Sequence, residues 1–180
     1  DLLVLGAGPG GYVAALYAAR QGMKTALVER DKVGGTCLQR GCIPTKALLE
    51  AAERYEMLRK ASRFGLSAEN VGFDYAKVAG RKDRVVLRLT KGIESLLSQA
   101  GVARVQGTAR FVDAHAVEVD GQRLSARNIL VATGSVPSRI PGFEGERVWT
   151  SDELLEAKAC PAALTILGGG VIGVEFASVF

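Results

Sequence analysis

The chain has 180 residues, of which 48% are hydrophobic and 23% charged, with 22 glycines, three cysteines and a formal net charge of +4 at pH 7. A chain of this length buries roughly 70% of its unfolded surface, and its composition excludes a disordered protein or a disulfide scaffold. The positive charge does not indicate nucleic-acid binding, because the densest basic stretch lacks interleaved aromatic residues and has the spacing of a solvated helix face; it contains Arg81, Lys82, Arg84, Arg88 and Lys91.

The amino-terminal run at residues 2–19 carries no charge over 18 residues, which is long enough to imitate a membrane span. Its glycines and Pro9 divide it into a short strand and a small-residue helix, and no basic leader precedes it as in a signal peptide. We therefore predict a cytoplasmic protein with no membrane association. Asp1 lies so close to the first strand that we expect a short piece to precede it.

A β-α-β unit is predicted from strands at residues 2–5 and 25–28 and a helix at 12–21. Between the first strand and the helix, Gly6-Ala7-Gly8-Pro9-Gly10-Gly11 matches the G-x-G-x-x-G pattern. Its glycines permit a tight turn, a close backbone approach to a pyrophosphate, and close helix–strand packing. Glu29, which ends the second strand, is placed to accept hydrogen bonds from an adenosine ribose. This context favours a dinucleotide site over a plain tight turn.

Two cysteines, Cys37 and Cys42, follow in a glycine-flanked segment. Their C-x₄-C spacing does not match a zinc ribbon, and no further cysteine pair or histidine cluster would complete four ligands, so we predict no metal site. A redox-active dithiol fits better, because Pro44 begins a predicted helix whose positive end would stabilise a nearby thiolate, and Lys46 adds positive charge. Cys160 is interpreted as an incidental loop thiol.

The later elements are a long helix that starts at Pro44 and covers residues 47–64, a second long helix at residues 75–100, and then a change to short strands and turns. The strands are predicted at 103–105, 109–112, 116–119 and 128–132, as a β-meander that returns to a core strand. A linker at 135–149, a short helix at 152–158, a strand at 164–167 and a helix from 171 complete the chain. The only histidine, His115, lies in the meander, so we predict that the chain lacks its own general base.

A second glycine pattern, Gly168-Gly169-Gly170-Val171-Ile172-Gly173, follows the last predicted strand. It suggests a second nucleotide, although a duplicated fold element with an empty second copy remains the alternative. The helix that follows has no visible end, so the chain is expected to stop inside this unit. The predicted fold is α/β.

At these residues the sequence resembles the pyridine nucleotide-disulfide oxidoreductases, and residues 34–49 are most similar to the dihydrolipoamide dehydrogenases. The resemblance spans the chain and includes both glycine patterns, the cysteine segment and Ala132-Thr133-Gly134-Ser135. It implies a Rossmann-like FAD-binding domain at 1–145 with an inserted β-meander, and the start of a Rossmann-like NAD-binding domain at 146–180. Gln39-Arg40 replaces the commoner Asn-Val between the cysteines, and Thr45 replaces a frequent Ser.

The resemblance also implies residue roles. Cys37 would exchange with lipoamide, Cys42 would form a charge-transfer contact with the flavin, and Lys46 would pair with Glu175 beside the flavin ring. The implied FAD site contains Gly6, Gly8, Pro9, Gly10, Gly11, Glu29, Arg30, Gly35, Thr36, Cys37, Cys42, Lys46, Gly107, Thr133, Gly134 and Ser135. The implied NAD site contains Gly168, Gly170, Val171, Ile172, Gly173 and Glu175.

By the same resemblance, the enzyme would oxidise dihydrolipoamide on a lipoyl-bearing carrier protein of a 2-oxo acid dehydrogenase complex. Electrons would pass through the Cys37–Cys42 disulfide and FAD to NAD. The family's homodimer supplies a catalytic histidine from the partner subunit, in a domain with no counterpart here, so this chain alone is not expected to turn over efficiently. A glutathione- or mercuric-reductase-like enzyme and a non-catalytic FAD-binding fragment are the alternatives.

Overall fold

The computed structural model describes residues 1–180, which form seven strands, six α-helices and one 3₁₀ turn at Ala61–Phe64. The strands are β1 (Leu2–Leu5), β2 (Thr25–Glu29), β3 (Ala103–Gln106), β4 (Ala109–Asp113), β5 (Ala116–Val119), β6 (Gln122–Ser125) and β7 (Asn128–Val131). The helices are α1 (Pro9–Arg20), α2 (Gly35–Arg40), α3 (Cys42–Arg59), α4 (Tyr75–Gln99), α5 (Ser151–Leu155) and α6 (Val171–Val179).

The chain divides into two compact units. Unit 1 consists of Asp1–Gln39 and Leu87–Val136, and unit 2 consists of Arg40–Val86 and Pro137–Phe180. One division falls near the end of α2 and another inside α4, so both helices contribute residues to both units.

Unit 1 is built on a parallel sheet with the strand order β3-β2-β1-β7. Leu3 and Leu5 of β1 face one apolar cluster and Val4 faces the other, and all three are at most 5% exposed. Both faces of the sheet are therefore covered, as parallel sheets require. One face carries α1 and the carboxyl end of α4, and the other carries the antiparallel sheet β4-β5-β6 through Val117 and Val119.

A tight hairpin turn joins β5 and β6 at Asp120 and Gly121, whose φ angles of 48° and 84° match the left-handed conformation of a type I′ turn. The Asp-Gly dipeptide is the usual sequence signal for such a turn, but β6 was not predicted. The predicted start of the meander at 103–105 is wrong, because β3 pairs in parallel with β2. Whether a strand belongs to the meander or to the parallel sheet depends on the strand with which it pairs. The local sequence pattern does not show that partner.

Unit 2 packs α3, α5 and α6 around the buried residues Leu48, Leu154, Leu155 and Phe176. The predicted strand at 164–167 is wrong, because this segment pairs with no other strand and has no regular secondary structure. A strand needs hydrogen bonds from a neighbour, and no second strand of this unit is present in the chain to supply them.

Charged side chains join the helices of unit 2. Lys82 was predicted to lie on a solvated face, but it is only 7% exposed, and its ammonium donates to the Leu155 carbonyl at 2.6 Å, at the end of α5. A buried ammonium is stable only with such acceptors. The bond also pairs a backbone carbonyl of the last turn of α5, where carbonyls have no partner within the helix. Arg81 pairs with Glu50 of α3 at 2.5 Å, and Arg54 and Arg81 together hold the Glu50 pKa below its usual value.

A capping box begins α5. The Thr150 backbone N–H donates to Glu153 Oε2 at 2.6 Å, the Thr150 hydroxyl bonds to the same carboxylate, and the Asp152 N–H donates back to Thr150 Oγ1 at 3.3 Å. These bonds, with the Arg139 guanidinium nearby, lower the pKa of Glu153 to about 2.

No helix of the structure is long and apolar enough to span a membrane.

Candidate functional site

The first glycine loop connects β1 to α1 in unit 1 and leaves its backbone uncovered. Gly6 has a φ angle of 99°, and a Cβ there would collide with the Ala132 carbonyl oxygen. A Cβ on Gly11 would in turn collide with the Gly6 carbonyl oxygen. The helix begins at Pro9 with no side-chain cap and no acidic residue in its first turn. The Gly11 and Tyr12 N–H groups donate to the Gly8 carbonyl at 2.9 Å, so the loop offers an anion the Gly10 N–H and the positive end of the helix. This loop fits a pyrophosphate.

Glu29 holds the loop in place from the end of β2. Its Oε2 accepts the Ala7 N–H at 2.7 Å, and its Oε1 accepts the Asp31 N–H at 2.8 Å. The Glu29 backbone carbonyl accepts the Gly107 N–H at 2.9 Å. The structure therefore brings Glu29 and Gly107 to the loop, and it adds a bond to Ala7 that the sequence analysis did not anticipate. Each Glu29 oxygen retains capacity for a further donor, such as a ribose hydroxyl.

The cysteine segment begins against the same loop. Gly35, the first residue of α2, has a φ angle of 57°, and a Cβ there would lie 2.5 Å from the Gly8 Cα. Thr36 donates its hydroxyl to the Ser135 carbonyl at 3.4 Å, which links α2 to the residues after β7. Cys37 is half-buried in the first turn of α2. Four predicted site segments of unit 1 therefore converge: the glycine loop, Glu29, the start of α2 and the residues after β7.

The remaining predicted residues of unit 1 lie at the edges of this group. Arg30 follows β2 directly and is exposed. Thr133, Gly134 and Ser135 follow β7 and are exposed, and Gly134 has a φ angle of 73° with open space around it. Because the carboxyl ends of β1, β2 and β7 lie at one edge of a parallel sheet, these residues border the place where ligands bind in open α/β sheets.

Cys42 is the first residue of α3 in unit 2, and it is an exposed thiol. The helix begins two residues earlier than Pro44, so the thiol lies at the positive end of an 18-residue helix with no acidic residue in its first turn. Thr45 fixes this turn, because its hydroxyl donates to the Gly41 carbonyl at 2.7 Å. Cys42 is thereby held at the amino-terminal end of α3.

Lys46 and Glu175 form an ion pair in unit 2. The Lys46 ammonium lies 2.5 Å from Glu175 Oε1, and the two side chains are 55% and 21% exposed. The pair joins the amino-terminal half of α3 to α6. Leu48 of α3 and Phe176 of α6 pack in the same apolar cluster. The structure thus brings together two residues that are 129 positions apart and that the sequence analysis predicted to pair.

The second glycine loop repeats the backbone of the first. Gly168 has a φ angle of 105°, against 99° for Gly6, and Gly170 has φ and ψ angles of −73° and 173°, against −70° and −178° for Gly8. A Cβ on Gly173 would lie 2.5 Å from the Gly168 carbonyl oxygen. Helix α6 begins at Val171 without a side-chain cap, and Val171 and Ile172 are exposed. This loop also fits a pyrophosphate.

Two residues that the sequence analysis set apart lie in exposed positions. His115 is in the turn between β4 and β5, with Nδ1 3.0 Å from the Arg127 carbonyl oxygen. Cys160 is exposed in the loop after α5. The structure contains no group of three or more His, Cys, Asp or Glu side chains that could hold a metal ion.

Known proteins are similar to this chain over its whole length. The sequence profile of the family described as pyridine nucleotide-disulphide oxidoreductase matches residues 1–180. Dihydrolipoyl dehydrogenase from Acholeplasma laidlawii is 47% identical over 187 residues, which cover 100% of this chain and 56% of that protein. Dihydrolipoyl dehydrogenase from Geobacillus stearothermophilus is 44% identical over 185 residues, which cover 100% of this chain and 39% of that protein.

Solved structures show the same likeness. The HOCl-induced flavoprotein disulfide reductase RclA from Escherichia coli superposes with a TM-score of 0.83 at 32% identity, covering 99% of this chain and 39% of that one. Its Cu(II) complex superposes with a TM-score of 0.82. The chain therefore spans between about two fifths and just over half of the length of these similar proteins.

Proposed function

Because the chain belongs to the pyridine nucleotide-disulphide oxidoreductase family, we propose that it is part of a dihydrolipoyl dehydrogenase, which oxidises protein-bound dihydrolipoamide to lipoamide. The observation that carries this proposal is the backbone contact of Gly35 with Gly8. This contact begins α2, the helix of Cys37, against the first glycine loop. The identity of 44–47% to dihydrolipoyl dehydrogenases over the whole chain supports the same assignment.

The substrate step is a thiol–disulfide exchange. A thiolate of dihydrolipoamide attacks Sγ of Cys37, the Cys37–Cys42 bond breaks, and Cys42 leaves as a thiolate. The second dihydrolipoamide thiol, once deprotonated, displaces Cys37 and closes the lipoamide disulfide. Two electrons have then passed to the dithiol, and the leaving sulfur, Cys42, is the first residue of α3. The proton acceptor for the substrate thiols lies outside the residues that we assign.

The residues of unit 1 would hold FAD. The uncovered backbone at Gly6, Gly8 and Gly11 and the amides of the first turn of α1 would bind the pyrophosphate, and Glu29 would accept from the ribose. In unit 2, Lys46 would carry its positive charge next to the flavin with Glu175 as its partner. FAD, when bound, supplies a two-electron acceptor for the dithiol, and NAD, at the loop from Gly168 to Gly173, supplies the final hydride acceptor.

The remaining assignments follow from the same proposal. The chain would comprise a Rossmann-like FAD-binding domain at 1–145 and the start of an NAD-binding domain at 146–180. Its partners would be a second copy of the enzyme and a lipoyl-bearing carrier protein of a 2-oxo acid dehydrogenase complex. We place the enzyme in the cytoplasm.

The test is a steady-state assay of the full-length protein with dihydrolipoamide and NAD. We expect turnover that falls below about one thousandth when Cys37→Ser or Cys42→Ser removes a reacting sulfur. The matched control is Cys160→Ser, which removes the exposed loop thiol and should leave turnover unchanged. Equal activity of all three variants would contradict the proposal.

A second candidate is a related flavin disulfide reductase with another acceptor. The superposition on the flavoprotein disulfide reductase RclA, with a TM-score of 0.83, favours it as the alternative. Under this alternative, the full-length protein would fail with dihydrolipoamide but reduce glutathione disulfide or mercuric ion, and the same cysteine variants would be inactive. A protein with no redox activity toward any acceptor would be a non-catalytic flavin-binding protein.

A further inference from the structure

The side chain of Gln39 ties α2 to two other parts of unit 1. Its Nε2 donates to the Val33 carbonyl at 2.7 Å and to Thr90 Oγ1 of α4 at 2.9 Å. An amide nitrogen carries two hydrogens, so these two bonds use the full donor capacity of the group. Both bonds are partly buried, and the second spans 51 positions of the chain. No role in nucleotide binding or sulfur exchange has been assigned to Gln39 or Thr90.

The helix that Gln39 holds is too short to be stable by itself. It has six residues, whereas isolated helices below about 12–15 residues are marginal in water. Its position therefore depends on tertiary contacts. Leu38, which is 5% exposed and packs over Gly34, supplies the apolar contact, and Gln39 supplies the polar one.

Gln39 and Cys37 are two positions apart in α2. At about 100° per residue, their side chains leave the helix roughly 200° apart, which means on nearly opposite sides. The hydrogen bond from Gln39 to Thr90 of α4 therefore fixes the rotation of α2 about its axis. This rotation sets the direction in which the Cys37 side chain points.

We propose that Gln39 is a positioning residue that, through Val33 and Thr90, orients Cys37 for sulfur exchange; this inference rests on the proposed redox role of Cys37. In that exchange, the attacking thiolate must approach Sγ of Cys37 along the bond to Cys42, which breaks as the new sulfur–sulfur bond forms. A helix free to rotate spends less time in that orientation. Glutamine stands where the similar enzymes more often have asparagine, and its length matters in this chain because the Val33 carbonyl and Thr90 Oγ1 lie within reach of the longer side chain. Asparagine shortens that reach by about 1.5 Å, one carbon–carbon bond.

The experiment measures reduction of the oxidised full-length protein by dithiothreitol. Samples are quenched in acid, and the thiols of Cys37 and Cys42 are counted by alkylation and mass spectrometry. The variants are Gln39→Asn, Thr90→Val and their combination. The matched control is Gln99→Asn, which makes the same change at an exposed glutamine near the end of α4 that bonds to Ser95. The melting temperature of each variant is measured in parallel.

We expect Gln39→Asn to lower the rate constant of reduction about tenfold, as two lost hydrogen bonds would, with an unchanged pH profile because the group is neutral. Thr90→Val should lower the rate constant by a smaller factor. In the combined variant the rate constant should fall by less than the product of the two factors, because both substitutions remove the bond between Gln39 and Thr90. Gln99→Asn should match the wild type.

Two results would overturn the inference. The first is a Gln39→Asn variant that has a lower melting temperature but is reduced by dithiothreitol at a rate within twofold of the wild type. Gln39 would then be only structural, and the proposed redox function would stand. If the wild-type protein gains no thiols at Cys37 and Cys42 on treatment with dithiothreitol, the redox function and the role of Gln39 both fail.

Discussion

Gly35 and Gly8 lie backbone against backbone, so that a single added carbon on Gly35 would stand 2.5 Å from the Gly8 Cα. The two residues belong to different motifs and are 27 positions apart in the sequence. Their contact fixes where α2 starts relative to the first glycine loop. The helix that carries Cys37 and the first glycine loop are thereby built into one backbone arrangement, with no side chain between them.

Gly35→Ala is expected to damage both motifs at once. The new Cβ must displace the glycine loop, and overpacking of this kind costs about 1–3 kcal/mol. The left-handed φ angle of 57° adds roughly 1–2 kcal/mol. Chemical denaturation and the flavin content of the purified full-length protein measure these effects. The control is Gly65→Ala, which has a φ angle of 73° but open space around it and should show the conformational cost alone. Equal losses would mean that the Gly8 contact is unimportant.

Glu29→Gln is expected to loosen the first glycine loop. An amide has one accepting oxygen, so either the Ala7 or the Asp31 N–H loses its partner, at a cost of about 1.5–3 kcal/mol for a bond to a charged group. The stability of the protein and its affinity for added FAD should both fall. The same substitution at Glu118, which is exposed on β5, should change neither. Unchanged FAD affinity in Glu29→Gln would argue against the proposed role of this carboxylate.

Lys46→Met is expected to separate activity from stability. Because the Lys46 side chain is 55% exposed, loss of its pair with Glu175 should change the free energy of unfolding by less than about 1 kcal/mol. Turnover with dihydrolipoamide should fall at least about tenfold if Lys46 acts on the flavin as the proposed function requires. Lys60→Met is the matched control, because Lys60 pairs with Glu56 in an exposed position after α3. A Lys46→Met enzyme with wild-type turnover would refute this assignment.

Acid should release the start of α5. The Glu153 pKa is about 2 in the folded protein, below its ordinary value of 4.5, because Thr150 donates to the carboxylate. The stabilisation is therefore complete above pH 4.5 and is lost as the pH falls toward 2. Thr150→Ala should cost about 1 kcal/mol at neutral pH and weaken this acid dependence. Unfolding curves at several pH values measure both, with Glu156→Gln as the control; an unchanged acid dependence in Thr150→Ala would contradict this account.

Elements with strong local signals were predicted from the sequence. Strand β1 was predicted at its observed bounds, and α4 was predicted within one residue, because an apolar run and a long amphipathic pattern need no distant partner to be recognised. The glycine patterns were likewise visible in the sequence, and three of their glycines, Gly6, Gly11 and Gly173, leave no room for a Cβ.

Elements that depend on tertiary contacts were missed. The sequence Gly35-Thr36-Cys37-Leu38 has no helical pattern of its own, and α2 forms because Leu38 and Gln39 are held from outside. The burial of Lys82 was also unpredictable, because it depends on the Leu155 carbonyl in another helix. The bond from Ala7 to Glu29 could have been anticipated, since an acid that ends β2 in this motif lies beside the loop.

The sheet order β3-β2-β1-β7 also governs how the chain folds as it is made. Strand β1 can pair with β2 early, but its other edge must wait for β7, whose Ile129 is the partner of Leu3. At about 5–20 residues per second, a ribosome delivers β7 roughly ten seconds after β1. Until then, one edge of the most buried strand of unit 1 is open to other chains, so the interval between these two strands is when the nascent protein most needs protection from aggregation.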